Sequence, residues 1–231
     1  MIRTLLFICA FAALFSCSKK TAELTVPAIT DSVKTYLALG DSYTIGQSVA
    51  VSGRFPAQTV ALLRQAGLRI ADPVYIAQTG WTTANLQNAI AAQNPAPTYD
   101  LVSLLIGVND QYQRMDTAGY ALRFTQLLEK AIQLARGKKE RVFVLSIPDY
   151  SVTPFVPAAD KQRVSSEIEA FNAINFRITT AYGVSYTNIT PSSREGAANP
   201  AFIASDGLHP SALEYKKWAE LLAPKIRAAV Q

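Results

Sequence analysis

Leu37-Ala38-Leu39-Gly40-Asp41-Ser42-Tyr43-Thr44 is an apolar run that ends abruptly in Gly-Asp-Ser, with small and polar residues continuing through Gly46-Gln47. A buried strand reads this way when it stops at a tight turn and leaves a hydroxyl standing at its tip. Taken alone, Gly-Asp-Ser is an ordinary turn, because all three residues favour turns for local backbone reasons. Residues further along the chain decide whether it is more than that.

Working outward from that turn, strand-like and helix-like segments alternate. Pro56 can open a helix at its first turn, where the missing N–H costs nothing, and that helix carries Val60 and Leu63 before stopping at Gly67. Residues 74–77 read as a second strand and residues 82–92 as a second helix, and Pro95 and Pro97 break the chain ahead of a third strand at 101–106. This third run is apolar nearly throughout, as a strand covered on both faces should be. Phe124, Leu127, Leu128, Ala131, Leu134 and Ala135 recur at helical spacing up to Gly137, where Lys138 and Lys139 suit a helix C-terminus. Residues 142–147 form the fourth predicted strand. A helix marked by Val164, Ile168, Phe171, Ile174 and Ile178 then stops at Gly183, ahead of a fifth strand at 184–187. The last helix is predicted from Pro210 onward, with Tyr215, Trp218, Leu222 and Ile226 on a core-facing stripe. Gly67, Gly137 and Gly183 stand where left-handed caps belong.

Alternation of this kind predicts an α/β fold, a five-stranded parallel sheet with helices on both faces. Ligands of such folds bind at the carboxyl ends of the strands. Those ends carry Gly40-Asp41-Ser42, Thr79-Gly80-Trp81, Gly107-Val108-Asn109-Asp110 and, after the fifth strand, a loop with Asp206-Gly207-Leu208-His209-Pro210. All four groups should meet on one edge.

The 231 residues suit one such domain, at 49% apolar and 17% charged. The net charge of +5 comes from scattered basic residues. With no basic stripe and no interleaved aromatics, a nucleic-acid partner is not expected. Residues 1–16 read as a targeting segment, with Arg3 at its start and an apolar run from Leu5 to Leu14 too short to span a bilayer. Leu14-Phe15-Ser16-Cys17 resembles the lipobox of bacterial lipoproteins, in which the cysteine is acylated and becomes the first mature residue. The resemblance implies export, a lipid on Cys17, a tether over residues 17–34 and a domain over 35–231, anchored to a membrane surface without spanning it. An ordinary secretory signal with a chance cysteine is the competing reading.

Acyl transfer needs a nucleophile, a base, a group that orients the base, and donors for the oxyanion. Ser42 is the candidate nucleophile. The chain has a single histidine, so an imidazole base can only be His209. Asp206, three residues earlier, can hold its Nδ1 proton, and Asp149 after the fourth strand is a rival for that task. Pro210 at the first helical position would place His209 at the cap, where the helix end and Asp206 pull its proton affinity in opposite directions. The backbone N–H groups of Ser42 and Gly80, with the Asn109 amide, are candidate oxyanion donors. Asp110 is expected to brace the turn under Asn109. With one histidine, and Cys17 acylated, a catalytic metal is not expected, nor is any cofactor. The absence of a Gly-x-Ser-x-Gly elbow argues against the α/β-hydrolase fold.

Gly40-Asp41-Ser42, Gly80, Gly107-x-Asn109-Asp110 and Asp206-x-x-His209 together resemble the SGNH, or GDSL-type, hydrolases, in the family's order and over nearly the whole mature chain. The resemblance implies a three-layer, flavodoxin-like fold and ester hydrolysis through an acyl-serine. It assigns nucleophile to Ser42, base to His209, orienting acid to Asp206, and oxyanion donors to Ser42, Gly80 and Asn109. Tyr43 departs from the family's usual aliphatic residue, which bears on substrate fit. Trp81, Tyr43 and Tyr112 adjoin these positions. The aromatic, proline-stiffened loop at 149–157 either walls a pocket or packs on neighbouring helices. Short loops point to small acyl groups, such as acetyl esters on carbohydrate. Lysophospholipid or thioester hydrolysis is the alternative, and a catalytically silent binding protein on the same fold is a third reading.

Overall fold

The computed structural model describes residues 32–230. The predicted signal segment, Cys17 and most of the tether lie outside the described residues. Five strands form one sheet: β1 (Tyr36–Gly40), β2 (Val74–Ala77), β3 (Leu101–Leu105), β4 (Val142–Leu145) and β5 (Ser185–Thr187). Every pairing is parallel, in the order β2-β1-β3-β4-β5. This is the flavodoxin-like order, with its reversal beside β1.

The central strands explain themselves by composition. Every residue of β1 and β3 is buried, and apart from the Tyr36 hydroxyl of β1 each strand is apolar except for one group in β3. That exception, Ser103, accepts a 2.8 Å hydrogen bond from the Tyr36 hydroxyl, so neither buried hydroxyl is left unpaired.

Strand order also sorts the helices. The chain steps one way from β1 to β2 and the other way through β3, β4 and β5. Right-handed crossovers therefore put α2 (Phe55–Gln65) on one face, and α3 (Thr83–Gln93), α5 (Thr117–Leu134) and α6 (Lys161–Ala181) on the other. The last helix, α8 (Ala212–Val230), packs on α2. Its predicted stripe is the buried one: Tyr215, Trp218, Leu222 and Ile226 are all fully covered. Phe55 meets Tyr215 and Trp218 there with ring centroids 6.3 and 6.0 Å away. On the opposite face Tyr120 packs on Phe171 at 4.6 Å. Gly67, Gly137 and Gly183 carry the left-handed backbone expected of them, at φ +86°, +75° and +66°. Three one-turn helices complete the set: α1 (Ser42–Ile45), α4 (Val108–Tyr112) and α7 (Thr190–Arg194).

Two expectations need correction. The fourth strand stops at Leu145 rather than at 147, because Asn172 of α6 replaces its neighbour. The Asn172 Oδ1 accepts from the Ile147 N–H at 2.7 Å and its Nδ2 donates to the Ile147 carbonyl at 2.9 Å. The last helix begins at Ala212 rather than at Pro210. Pro210 instead bridges Ile203, and the Ser211 hydroxyl faces the helix start, accepting from the Glu214 N–H at 3.5 Å.

Candidate active site

The exits of β1, β2 and β3 and the loop before α8 each shape one part of the site. At the end of β1 the backbone runs hard against β3: a Cβ on Gly40 would lie 2.1 Å from Thr44 Oγ1 and 2.4 Å from the Leu105 carbonyl oxygen. No other residue fits without moving the sheet. Asp41 then caps α1, its Oδ1 accepting from the Tyr43 N–H at 3.0 Å, so Ser42 becomes the first helical residue at the sheet's upper edge. Burial lifts the Asp41 carboxyl to about 8, helped by the negative charge of Asp110, and outweighs the Tyr43 N–H. The glycine at the exit of β2 serves another purpose. Gly80 sits at φ +81° with open space where a Cβ would point, so its need is conformational and not the close packing seen at Gly40.

After β3 the turn places Asn109 and Asp110 on α4. The Asn109 Nδ2 donates to the Trp81 carbonyl at 3.0 Å, tying this turn to the one after β2. Asp110 is fully buried and braces α3, not the turn under Asn109. It accepts from the Thr83 N–H (2.8 Å), the Thr83 hydroxyl (2.5 Å) and Arg123 (3.2 Å). These bonds join the exits of β2 and β3 into one platform.

The loop before α8 closes on itself through the Ala204 N–H, which donates to the His209 carbonyl at 2.7 Å. Within it, Asp206 Oδ1 accepts from the backbone N–H groups of Leu208 (3.0 Å) and His209 (2.9 Å). Its Oδ2 lies 2.7 Å from His209 Nδ1 and accepts from the Ser48 hydroxyl at 2.6 Å. Partial burial would raise the Asp206 carboxyl. The Ser48 hydroxyl, the two N–H groups and the imidazole together hold it well below the usual carboxylate range. An ionised carboxylate only accepts hydrogen bonds, so Nδ1 is the donor and the neutral ring keeps its lone pair on Nε2. Because α8 starts at Ala212, the histidine stands before the cap and not at it. Asp149, the rival for orienting it, is engaged elsewhere. Its carboxylate accepts from Ser165 (2.6 Å), Arg194 (2.9 Å) and the Ser151 N–H (3.0 Å).

Ser42, Gly80, Asn109 and His209 line a single cavity of about 150 Å³, so residues from the exits of β1, β2 and β3 and from the loop before α8 meet as the sequence predicted. The remaining wall is largely apolar, from Tyr43, Val108, Tyr112, Tyr150, Phe155 and Leu208. The 149–157 loop thus does both things considered for it. Tyr150 and Phe155 face the cavity, while Val156 is buried in the core. Tyr43 is buried with its ring 5.2 Å from the His209 ring and 6.4 Å from Trp218, so it supports the imidazole from behind as well as shaping the pocket. Trp81 is not in the lining; its ring packs against the core and only its carbonyl reaches the site, through Asn109.

The profile of the GDSL-like lipase/acylhydrolase family matches residues 38–217, spanning every one of these exits. The chain belongs to that family. It is an SGNH-type ester hydrolase, as the four motifs implied. Solved structures agree on the fold. TesA is 20% identical with a TM-score of 0.64, over 85% of this chain and 100% of its own. The acetylxylan esterase Axe2 of Geobacillus stearothermophilus is 21% identical with a TM-score of 0.64, over 84% of this chain and 94% of its own. A lipase/acylhydrolase of Enterococcus faecalis is 18% identical with a TM-score of 0.63, over 86% of this chain and 98% of its own. No curated protein matches the chain.

Proposed function

We propose that this hydrolase cleaves small acyl esters, acetyl esters of carbohydrate in particular, through an acyl-serine. The carrying observation is the one cavity shared by Ser42, Gly80, Asn109 and His209. Ser42 Oγ attacks the ester carbonyl as His209 Nε2 takes its proton, and Asp206 holds the resulting imidazolium through Nδ1. Negative charge on the carbonyl oxygen is met by the N–H groups of Ser42 and Gly80 and by Asn109. One Asn109 amide hydrogen is directed at Trp81, which leaves the second for the oxyanion. Collapse returns the proton to the departing alcohol. Water then repeats the sequence on the acyl-serine with His209 again as base.

Size supports a small acyl group. Pockets that enclose drug-sized ligands begin at about 300 Å³, twice the space beside Ser42. A long acyl chain, as in the lysophospholipid or thioester reading, finds less room. On the far side of Tyr112 and Phe155, whose rings lie 6.1 Å apart, is a more polar hollow of about 330 Å³. Both rings are half-exposed, and the hollow adds Arg114, Asp160 and Arg163. Exposed aromatic faces beside paired charges suit a neutral, hydroxyl-rich alcohol better than a lipid. In a series of p-nitrophenyl esters of rising chain length, kcat/KM should peak at acetyl or propionyl and fall by about tenfold or more by octanoyl, the cost of roughly 1.4 kcal/mol of misfit. A maximum at octanoyl or beyond favours the lipid deacylase instead. No turnover of any ester favours the silent binding protein.

A further inference from the structure

The loop after the proposed nucleophile bonds to two other parts of the site through consecutive residues. Gln47 is rooted on the nucleophile's own turn, its N–H donating to the Ser42 carbonyl at 3.0 Å. Its side-chain oxygen accepts from the Thr79 hydroxyl at 2.7 Å, on the residue immediately before Gly80. Ser48 turns the other way and donates to Asp206 Oδ2 at 2.6 Å, across a separation of 158 residues. That length is in the range of a charge-assisted O–H···O⁻ bond. Ser48 makes this bond from φ +66°, a left-handed backbone that costs a residue with a Cβ free energy and persists where its surroundings hold it.

Asp206 Oδ2 is the oxygen that meets His209 Nδ1, so its position decides where the imidazole points. Its Oδ1 is pinned by two backbone N–H groups of its own loop. Among the described residues, Ser48 is the one side chain from another part of the chain that hydrogen-bonds this carboxylate.

We propose that Gln47 and Ser48 form a strap that registers the base loop and the oxyanion loop to the nucleophile's turn, with Ser48 the positioning residue for the Asp206–His209 pair. The strap rests on the acyl-serine reading above. It adds a requirement that the four family motifs do not contain: a hydroxyl at 48 aimed at the orienting carboxylate.

Three measurements on the full chain test it. With p-nitrophenyl acetate, Ser48→Ala should lower kcat about tenfold with KM changed less than twofold, because a positioning group acts on the reacting geometry and not on substrate binding. Ser48→Gly, whose backbone accepts φ +66° freely, should lose as much. A role confined to the backbone of residue 48 predicts full activity there and would overturn the strap. In an Asp206→Asn background, Ser48→Ala should add less than a twofold loss, whereas an independent tenfold loss contradicts action through Asp206. The single histidine gives a readout apart from turnover. Nitrogen-labelled His209 should show the Nδ1–H tautomer in the wild type and a mixture of tautomers in Ser48→Ala; identical spectra would overturn the strap. If wild type and Ser42→Ala hydrolyse the ester equally, the acyl-serine reading fails by itself, and the histidine spectrum still decides whether Ser48 positions the ring.

Discussion

Ser42→Ala should lower kcat on p-nitrophenyl acetate by about three orders of magnitude or more, with the fold and the thermal midpoint preserved. The size of the effect comes from the role of the serine. It is the atom that bonds to carbon, so its loss removes the acyl-enzyme route outright and leaves only oxyanion donors and binding to act on water. The residue is half of a rim that otherwise stays intact: Asp206 keeps both backbone donors and His209 keeps its carboxylate when the hydroxyl is gone. His209→Ala should fall by a similar factor. The double variant should be little worse than either, since the two act as one unit. An unchanged rate in Ser42→Ala would move the chemistry to another residue.

Gly40→Ala should cost about 3 kcal/mol or more of folding stability, because the added methyl overlaps atoms that cannot retreat. Thr44 Oγ1 at 2.1 Å could rotate aside, but the Leu105 carbonyl at 2.4 Å belongs to the central strand β3. For a domain of this length that loss corresponds to a thermal midpoint lowered by roughly 6–12 °C. Gly80→Ala makes the useful contrast. With open space at its Cβ, its cost is confined to the φ of +81°, so it should be tolerated better in folding while disturbing the oxyanion loop. A Gly40→Ala protein as stable as the wild type would mean that β1 and β3 can separate at their upper ends.

The elements most legible in the sequence are those whose stability is local in origin. β1 and β3 are recognisable because strands buried on both faces are apolar nearly throughout. The stripe of α8 is recognisable because a helix covered on one side repeats its apolar residues every three or four positions. The order of the four motifs is legible as well, since three lie at strand exits and the fourth in the loop before α8, on the edge where topology forces convergence. Boundaries set by distant side chains are not. Asn172 ends β4 from 25 residues away, and no feature of residues 142–147 announces it. The start of α8 is misleading because Pro210 suits a first helical turn, yet Ile203 claims it as a bridge partner. Asp110 reads as a local brace, although its partners Thr83 and Arg123 come from other helices. Ser48 is silent in sequence for the same reason: a serine between glutamine and valine in a turn carries no mark of a carboxylate 158 residues later.

The serine at the head of the domain must attack the ester carbonyl carbon while the imidazole near its end takes the hydroxyl proton. Treatment with a fluorophosphonate, followed by mass spectrometry of the digested chain, tests that pairing directly. One adduct per molecule should form on Ser42, and its rate of formation should fall by at least about a hundredfold in His209→Ala, which removes the general base. An adduct on another residue, or labelling of Ser42 at the same rate without the histidine, would contradict it.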